Sequence, residues 1–378
     1  MNSKPDLTET MQQLLAQQLP AALMEKISPL LVEAQQHQQS DWASHMTPTV
    51  DNIALLGKLL AGLHHGNLLS AELYPHLMQT REALLADLSL VFEQPHGHFT
   101  HGAGYANLEA LWWARQQHPE RQTVYASSAC HYSLHKACEL LSLKLELVPV
   151  DSQEQMQIER MQQCCEAKPP LAIIANAGTT RAGAIDDINA LIELAEHYAA
   201  WLHIDAAWGG ALAFDEDRKN LLGQIGKADS ICIDPHKALQ QPRPCGLLFY
   251  QHDPGIIDFA TDYLHRPPQM RLPGSNGAEL FMPLWLSWQY YGQARIAAQI
   301  KNRLEQADVF ANQLSKLTGW RVLNGKTGIV CFSPDSFQPL PEQSFSEVSI
   351  NGELMMRTVF SSQHQSAEAL LKIVAHGF

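Results

Sequence analysis

The stretch from Ala228 to Gly246 constrains this chain more than any other. Ser230 to Ile233 read as a short apolar strand that runs into Asp234-Pro235-His236-Lys237 and then a loop interrupted by Pro242 and Pro244. Proline has no N–H to offer a ladder, so pairing stops at Asp234 and the chain turns. Lys237 is thereby delivered just past a buried strand end. Held there and partly stripped of water, a lysine loses its charge more readily and becomes an amine able to attack a carbonyl. An ordinary loop lysine is a solvated surface charge. The flanking Asp234 and His236 argue against that reading here.

A second strand end supplies the opposite charge. Trp201 to Asp205 are apolar-rich and end in an acid, followed by Ala206, Ala207, Trp208 and two glycines. A carboxylate at the carboxyl end of a buried strand is costly unless it meets a cation; the plainer alternative is a turn residue. One cation that fits is the protonated ring nitrogen of pyridoxal 5'-phosphate (PLP). Sites for that cofactor pair an acid with the ring nitrogen and a Schiff-base lysine with the aldehyde. The alanines beyond Asp205, Ala207 among them, leave room for a flat ring.

Composition narrows the class. The chain has 378 residues with 46% hydrophobic content, enough for a large core and, by size, two domains. Its 26 basic and 39 acidic residues leave a net charge of −13, which argues against nucleic acid or an anionic membrane as partner. The opening residues lack the apolar run of a secretory signal, and no uncharged apolar stretch reaches the ~18 residues of a membrane span. Seven cysteines are scattered without metal-ligand spacing. Reduced thiols in a cytoplasmic protein, with no metal site, are the expectation.

Taken in order, residues 1–40 are Gln-rich and helical in pattern, with Leu14, Leu15, Leu19, Leu23, Leu30 and Leu31 on amphipathic spacing broken by Pro20 and Pro29. They read as an arm that packs on a subunit partner. Helices are predicted for Val50 to Leu63 and Leu73 to Phe92. Gly97 to Gly104 is a Gly-rich turn opening a helix from Ala106 to Arg115, a geometry that offers backbone N–H groups to a phosphate. Strand-like Thr123–Ala126 precedes Ser127 to Ala137, where His131 alone reads as either a loop histidine or a catalytic one. The apolar run Leu171 to Ala175 has the look of a buried parallel strand. It leads into Asn176-Ala-Gly-Thr-Thr180 and a helix ending near Ala200, with Asp186 and Asp187 read as its caps. This alternation through Tyr250 predicts a parallel α/β sheet with its ligand at the strand carboxyl ends. Beyond it come a Trp-rich helix, Leu280 to Tyr291, strands at Gly328–Phe332 and Val348–Phe360, and a last helix from about Ala367 to His376.

Together these motifs resemble group II PLP-dependent amino-acid decarboxylases, the family of glutamate, aromatic-amino-acid, cysteine-sulfinate and diaminobutyrate decarboxylases. The likeness covers Trp42 to the C-terminus and rests on the order and spacing of five motifs. Thr100, Gly102, Ala106 and Asn107 fit the family's Thr-Ser-Gly-Gly-Ser/Thr-Glu-Ala-Asn pattern. His131-Tyr132-Ser133, the Gly-Thr-Thr…Gly-Ala-Ile-Asp run, the strand ending in Asp205 and the turn bearing Lys237 supply the rest.

The resemblance implies a fold type I PLP-dependent transferase architecture. Residues 1–50 would form an arm at a dimer interface, 51–295 a large PLP-binding domain with a mainly parallel seven-stranded-type sheet, and 296–378 a small α+β domain. The implied reaction is α-decarboxylation of an L-amino acid to an amine and CO2 in a homodimer with its site at the subunit interface. Lys237 would hold PLP, Asp205 would keep its ring nitrogen protonated, and His131 would stack on the ring and align the departing carboxylate. Ala103 and Gly104 would cradle the phosphate, Thr180 would lie near the ring oxygen, and Ser230, Asp234 and His236 would line the phosphate side. Several departures stand out. Gly104 replaces a hydroxyl residue, His101 and Tyr105 differ from the pattern, and Asn276 falls where the family has arginine. The loop between Tyr263 and Gly274 is shortened, and Tyr263 precedes it. The substrate resembles that of diaminobutyrate and lysine decarboxylases, with acidic amino acids also open. An aminotransferase or other PLP lyase, or a weakly active PLP-binding homologue, are the alternatives.

Overall fold

Five apolar runs set the architecture. A computed structural model of the chain describes residues 12, 19–69, 72–255, 270–272, 274, 276–333 and 340–377. In it β2 (Thr123–Ser127), β4 (Ala172–Asn176), β5 (Trp201–Asp205), β6 (Ser230–Ile233) and β7 (Gly246–Tyr250) are buried at every residue. Full burial is the mark of strands covered on both faces. With β1 (His96–Thr100) and β3 (Lys144–Val148) they form a seven-stranded sheet in the order β1-β7-β6-β5-β4-β2-β3.

Neighbouring strands are parallel from β3 through to β6, while β7 runs antiparallel to both β6 and β1. The fold is α/β with a mainly parallel sheet, as the alternation predicts. The exception is β7. It returns from β6 through the loop 234–245 without a helix, and an antiparallel return needs no long crossover. The Gly-rich turn also begins later than expected, because His96–Thr100 are paired along the whole of β7.

Side chains alternate between the two faces of the sheet. Val124, Ala126, Ala172, Ile174 and Trp201 pack against α4 (Ala103–Gln117) and α5 (Tyr132–Leu140). Tyr125, Ile173, Ala175, Leu202 and Ile204 face α3 (Pro75–Phe92), α6 (Ile158–Ala167) and α7 (Ile188–Tyr198). Before these lie α1 (Ala21–Gln36) and α2 (Asn52–His64). Pro29 does not break α1, which continues through it, and none of its residues is buried. Leu14 and Leu15 lie outside the described residues.

The Trp-rich helix gives way at Gly292, just past the Tyr291 where its sequence pattern ends, and a second helix follows in the same run. A 3-10 turn at Ala278–Leu280 precedes α8 (Met282–Leu314), which is interrupted at Gly292 by a φ of 70° and ψ of 163°. Beyond it a four-stranded antiparallel sheet has the order β10 (Ser346–Ile350), β11 (Glu353–Val359), β9 (Ile329–Ser333), β8 (Arg321–Asn324). The last helix is α9 (Ala367–Gly377). The expected strand Val348–Phe360 is a hairpin, because Asn351 and Gly352 both take positive φ and turn the chain. The segment before α2 is stitched to this smaller unit, with Val359 N–H donating to the Ala43 carbonyl at 2.6 Å.

Glycines let the strands meet beneath the cleft. A Cβ at Gly246 would fall 2.5 Å from Gly102 Cα and 2.6 Å from Thr100 Oγ1, and Gly102 itself holds a φ of +123°. Gly246→Ala is therefore expected to force β1 and β7 apart, with a loss of about 1–3 kcal/mol in urea unfolding. Wild-type stability in this variant would contradict the packing described here.

Candidate active site

The carboxyl ends of β1, β2, β4, β5 and β6 converge on a cleft of about 430 Å3. Ligand sites of open α/β sheets form at such ends because the loops diverge there. Asp205 is the last residue of β5, Lys237 follows β6, His131 follows β2, Thr180 follows β4, and Ala103 and Gly104 open α4. All of them line this cleft, together with Ala207 and Asp234.

Asp205 is buried yet surrounded by donors. Asn107 Nδ2 donates to its Oδ2 at 3.0 Å, and the Ala207 N–H donates to Oδ1 at 3.2 Å. Cys232 Sγ lies 3.4 Å from the same oxygen. Burial alone would raise its pKa, but the Lys237 charge, the Asn107 bond, His203 and the Ala207 amide together hold it below the usual carboxylate range. The acid keeps its charge at neutral pH.

Lys237 is half-hidden, with Nζ 3.0 Å from Asp234 Oδ2. Burial would push its pKa down. Asp234 and Asp205 outweigh that and hold it above the ordinary lysine value. The expectation of an amine that sheds its proton readily is therefore corrected: two carboxylates stabilise the ammonium. Asp234 Oδ1 accepts the Ala103 N–H at 2.7 Å. One of the two amides assigned to a phosphate is thus already occupied by a carboxylate.

His131 is the N-cap of α5, its Nδ1 receiving the Ser133 N–H at 3.3 Å and lying 2.8 Å from Ser133 Oγ. Burial lowers its pKa, and Lys237 reinforces this while Asp205 opposes it. The ring is neutral above its ordinary titration range. His236 sits behind the cleft, its Nδ1 2.7 Å from the Cys245 carbonyl and its Nε2 3.6 Å from Asp234.

Ser230 does not meet its expected role. It begins β6, at the far end of the strand from the cleft, and is fully buried. Its hydroxyl is engaged by Trp201 Nε1 and His203 Nδ1, both at 2.8 Å, so it has nothing left for a phosphate. Asp187 caps α7 through the Ala190 N–H as expected. Asp186 does not; it turns inward to the N–H groups of Asn176 and Met156 at 2.7 and 2.8 Å. Burial lifts its pKa to about 6 against those bonds. Asn276 lies away from the cleft lining, its carbonyl accepting the Leu68 N–H at 2.9 Å. Tyr263 and most of its shortened loop lie outside the described residues.

The residues fit PLP by their chemistry. A buried carboxylate whose own donors leave it charged faces the cleft, where a cationic ring nitrogen would complete its partners. An amine, Lys237 Nζ, stands in the same cleft, which Ala207 and His131 also line. The first turn of a helix leaves N–H groups without helical acceptors, and Gly104 brings that turn to the wall. A Cβ at Gly104 would meet nothing nearer than Ser133 Cβ at 3.8 Å, so the glycine keeps the opening wide.

Sequence reasoning overlooked Met46, Trp208 and Asn176, which also line the cleft, and the polar set of His203, Ser133 and Cys232 behind Asp205. Asn107 was legible only as a motif match. The signal for His203 and Trp201 was available, since residues two and four before Asp205 on one strand share its face. Met46 precedes every recognisable motif of the sheet and is brought in by tertiary folding alone.

The profile of the pyridoxal-dependent decarboxylase conserved domain matches residues 3–334. Among relatives, the aromatic-L-amino-acid decarboxylase of Bacillus atrophaeus is 27% identical over 300 residues, covering 70% of this chain and 62% of that protein. The L-2,4-diaminobutyrate decarboxylase of Rhizobium meliloti (strain 1021) is 31% identical over 264 residues, covering 65% and 53%. The chain thus spans less than two thirds of the length of either. The crystal structure of mouse CSAD shares the fold, with a TM-score of 0.83 at 19% identity over 99% of this chain and 92% of that one.

The Lys237–Asp234 pair yields a pH test with a definite sign. Asp234→Asn removes a charge that raises the Lys237 pKa while keeping an oxygen for the Ala103 N–H. The pH midpoint for covalent capture of an added aldehyde by Lys237, followed by absorbance, should move down. A midpoint that stays fixed or moves up would show that Asp234 does not hold that proton.

Proposed function

Because this chain belongs to the pyridoxal-dependent decarboxylase family, we propose that it removes the α-carboxylate of an L-amino acid as CO2, using Lys237 to hold PLP. The observation that carries the proposal is the presence of the Lys237 amine and the charged Asp205 carboxylate in one cleft at the ends of adjacent strands. When bound, PLP supplies an electron sink for the pair left behind as CO2 departs.

The chain's own residues do the rest. Asp234 Oδ2, at 3.0 Å, orients the Lys237 ammonium, whose nitrogen acts as a nucleophile once a proton is lost. Asp205 stays ionised and so holds a proton on the cofactor's ring nitrogen. His131 and Ala207 both line the cleft, and an imidazole and a methyl would restrain a planar group held between them. Trp208 and Met46 add apolar surface that excludes water from the reacting carboxylate. Gly104 leaves space where the family places a hydroxyl, so the phosphate would rest on backbone N–H groups of the first turn of α4.

The substrate is an amino acid whose side-chain class remains for assay. Relatives are named for aromatic and 2,4-diaminobutyrate substrates, and both classes belong in the assay. We assign the working unit to a homodimer in a reducing, cytoplasmic setting. Leu55, Leu59 and Leu63 make an exposed apolar row on α2, and exposed Leu23, Leu30 and Leu31 lie on α1. Such surfaces favour burial against a second copy. All seven cysteines are unpaired, which suits a reducing compartment. Among the described residues no helix is long and apolar enough to cross a membrane.

Three measurements test this reading. PLP-loaded protein incubated with a panel of L-amino acids should release CO2 and the matching amine from at least one; a keto acid in its place would indicate transamination. Lys237→Ala should abolish the borohydride-fixable PLP adduct, and persistence of the adduct would reassign the lysine. Light scattering after size exclusion should give twice the chain mass, whereas a monomer retaining full activity would overturn the dimer.

A further inference from the structure

Behind the Asp205 carboxylate runs a continuous series of hydrogen bonds whose direction can be worked out atom by atom. We propose that His203 is a positioning residue, held as its Nε2–H tautomer, whose N–H to Asn107 Oδ1 keeps that amide turned toward Asp205, and that the same series of bonds leaves His131 with its proton on Nε2. The inference uses the PLP reading only for its consequence, not for its geometry.

A carboxylate only accepts. Asn107 must therefore turn Nδ2 toward Asp205 Oδ2, 3.0 Å away; the flipped amide would set oxygen against oxygen. The same Nδ2 serves Ser133 Oγ at 3.0 Å. Asn107 Oδ1 is then left facing His203 Nε2 at 2.9 Å, so that nitrogen carries a hydrogen. His203 is completely buried, and burial pushes its pKa down to about 4 against the pull of Asp205. A neutral ring protonated at Nε2 has a bare Nδ1, which lies 2.8 Å from Ser230 Oγ. Ser230 must donate there, and it can because its oxygen receives the Trp201 indole N–H at 2.8 Å. An indole nitrogen donates and never accepts, so the far end is compatible with the direction set by Asp205.

The other branch leads into the cleft. Ser133 Oγ, having accepted from Asn107, donates its own proton to His131 Nδ1 at 2.8 Å. The Ser133 backbone N–H approaches the same nitrogen at 3.3 Å, and an amide also cannot accept. Both ends of the series are thus closed by obligate donors, and its centre is set by a charge. Cys232 Sγ lies 3.1 Å from Asn107 Oδ1 and 3.4 Å from Asp205 Oδ1, with a single proton to offer to one of the two.

The functional consequence concerns both sides of the bound ring. Asp205 receives a fixed N–H and stays ionised. His131 offers an Nε2–H rather than a lone pair, which makes it a donor to a carboxylate and not a base.

Nitrogen-15 NMR of histidine-labelled full-length protein at neutral pH reads the tautomers directly, with His203 and His131 signals identified by their loss in His203→Gln and His131→Gln. Both rings should show a pyridine-like Nδ1 and a pyrrole-like Nε2. A proton on Nδ1 of either ring, or a doubly protonated ring, would overturn the proposal. In the purified protein, His203→Gln keeps an N–H for Asn107, whereas His203→Leu removes it. PLP affinity by fluorescence titration should fall about tenfold or more in His203→Leu, the cost of one lost bond next to a charge, and be largely retained in His203→Gln. Equal affinities in the two variants would contradict a positioning role. Should His203→Leu fail to fold, the wild-type tautomer pattern still decides. Failure of the unmodified protein to bind PLP would sink the decarboxylase reading alone.

Discussion

The structure depends on keeping one carboxylate charged inside a buried sheet. Asp205 sits at the end of a strand whose every residue is buried, where an isolated charge would be expelled by protonation. Donors from three elements prevent this: Asn107 from α4, the Ala207 amide from its own loop, and Cys232 from the neighbouring strand. Those donors require β5, β6 and α4 to meet within hydrogen-bond distance. The small residues at Gly102, Ala103, Ala106 and Gly246 are what allow α4 and β7 to approach so closely. Packing and electrostatics are therefore one requirement here rather than two.

The second charge is managed differently. The Lys237 ammonium is paired with Asp234 across 3.0 Å, and the same carboxylate ties down the first amide of α4. This couples the loop after β6 to the helix that closes the cleft. A lysine in this position is not an amine waiting in an apolar pocket. It is one half of an ion pair whose carboxylate stabilises the ammonium, and such pairs are costly to break from one side alone.

Much of the fold was legible because its strands carry two separate signals. Ser230–Ile233 and Trp201–Asp205 are short apolar runs, and each ends in residues that make sense only as chemistry. The same runs fixed the positions of Lys237, Asp205, His131 and Thr180 in one cleft. What escaped the sequence was long-range. The reversed direction of β7 depends on a short return, and the existence of β1 depends on a partner far along the chain. The hairpin at Asn351–Gly352 was written in asparagine and glycine, yet the period of its flanks resembled one continuous strand. Ser230 was misplaced because the resemblance identifies residue types, whereas the strand's direction decides which end of β6 reaches the cleft.

The central claim is that the Lys237 amine and the Asp205 carboxylate address one and the same heterocycle. A crystal structure of the protein reconstituted with PLP tests it most directly. The account predicts continuous density from Lys237 Nζ to the cofactor and the ring nitrogen within hydrogen-bond distance of Asp205. A cofactor bound with its ring nitrogen directed away from Asp205, or attached through a different side chain, would contradict it.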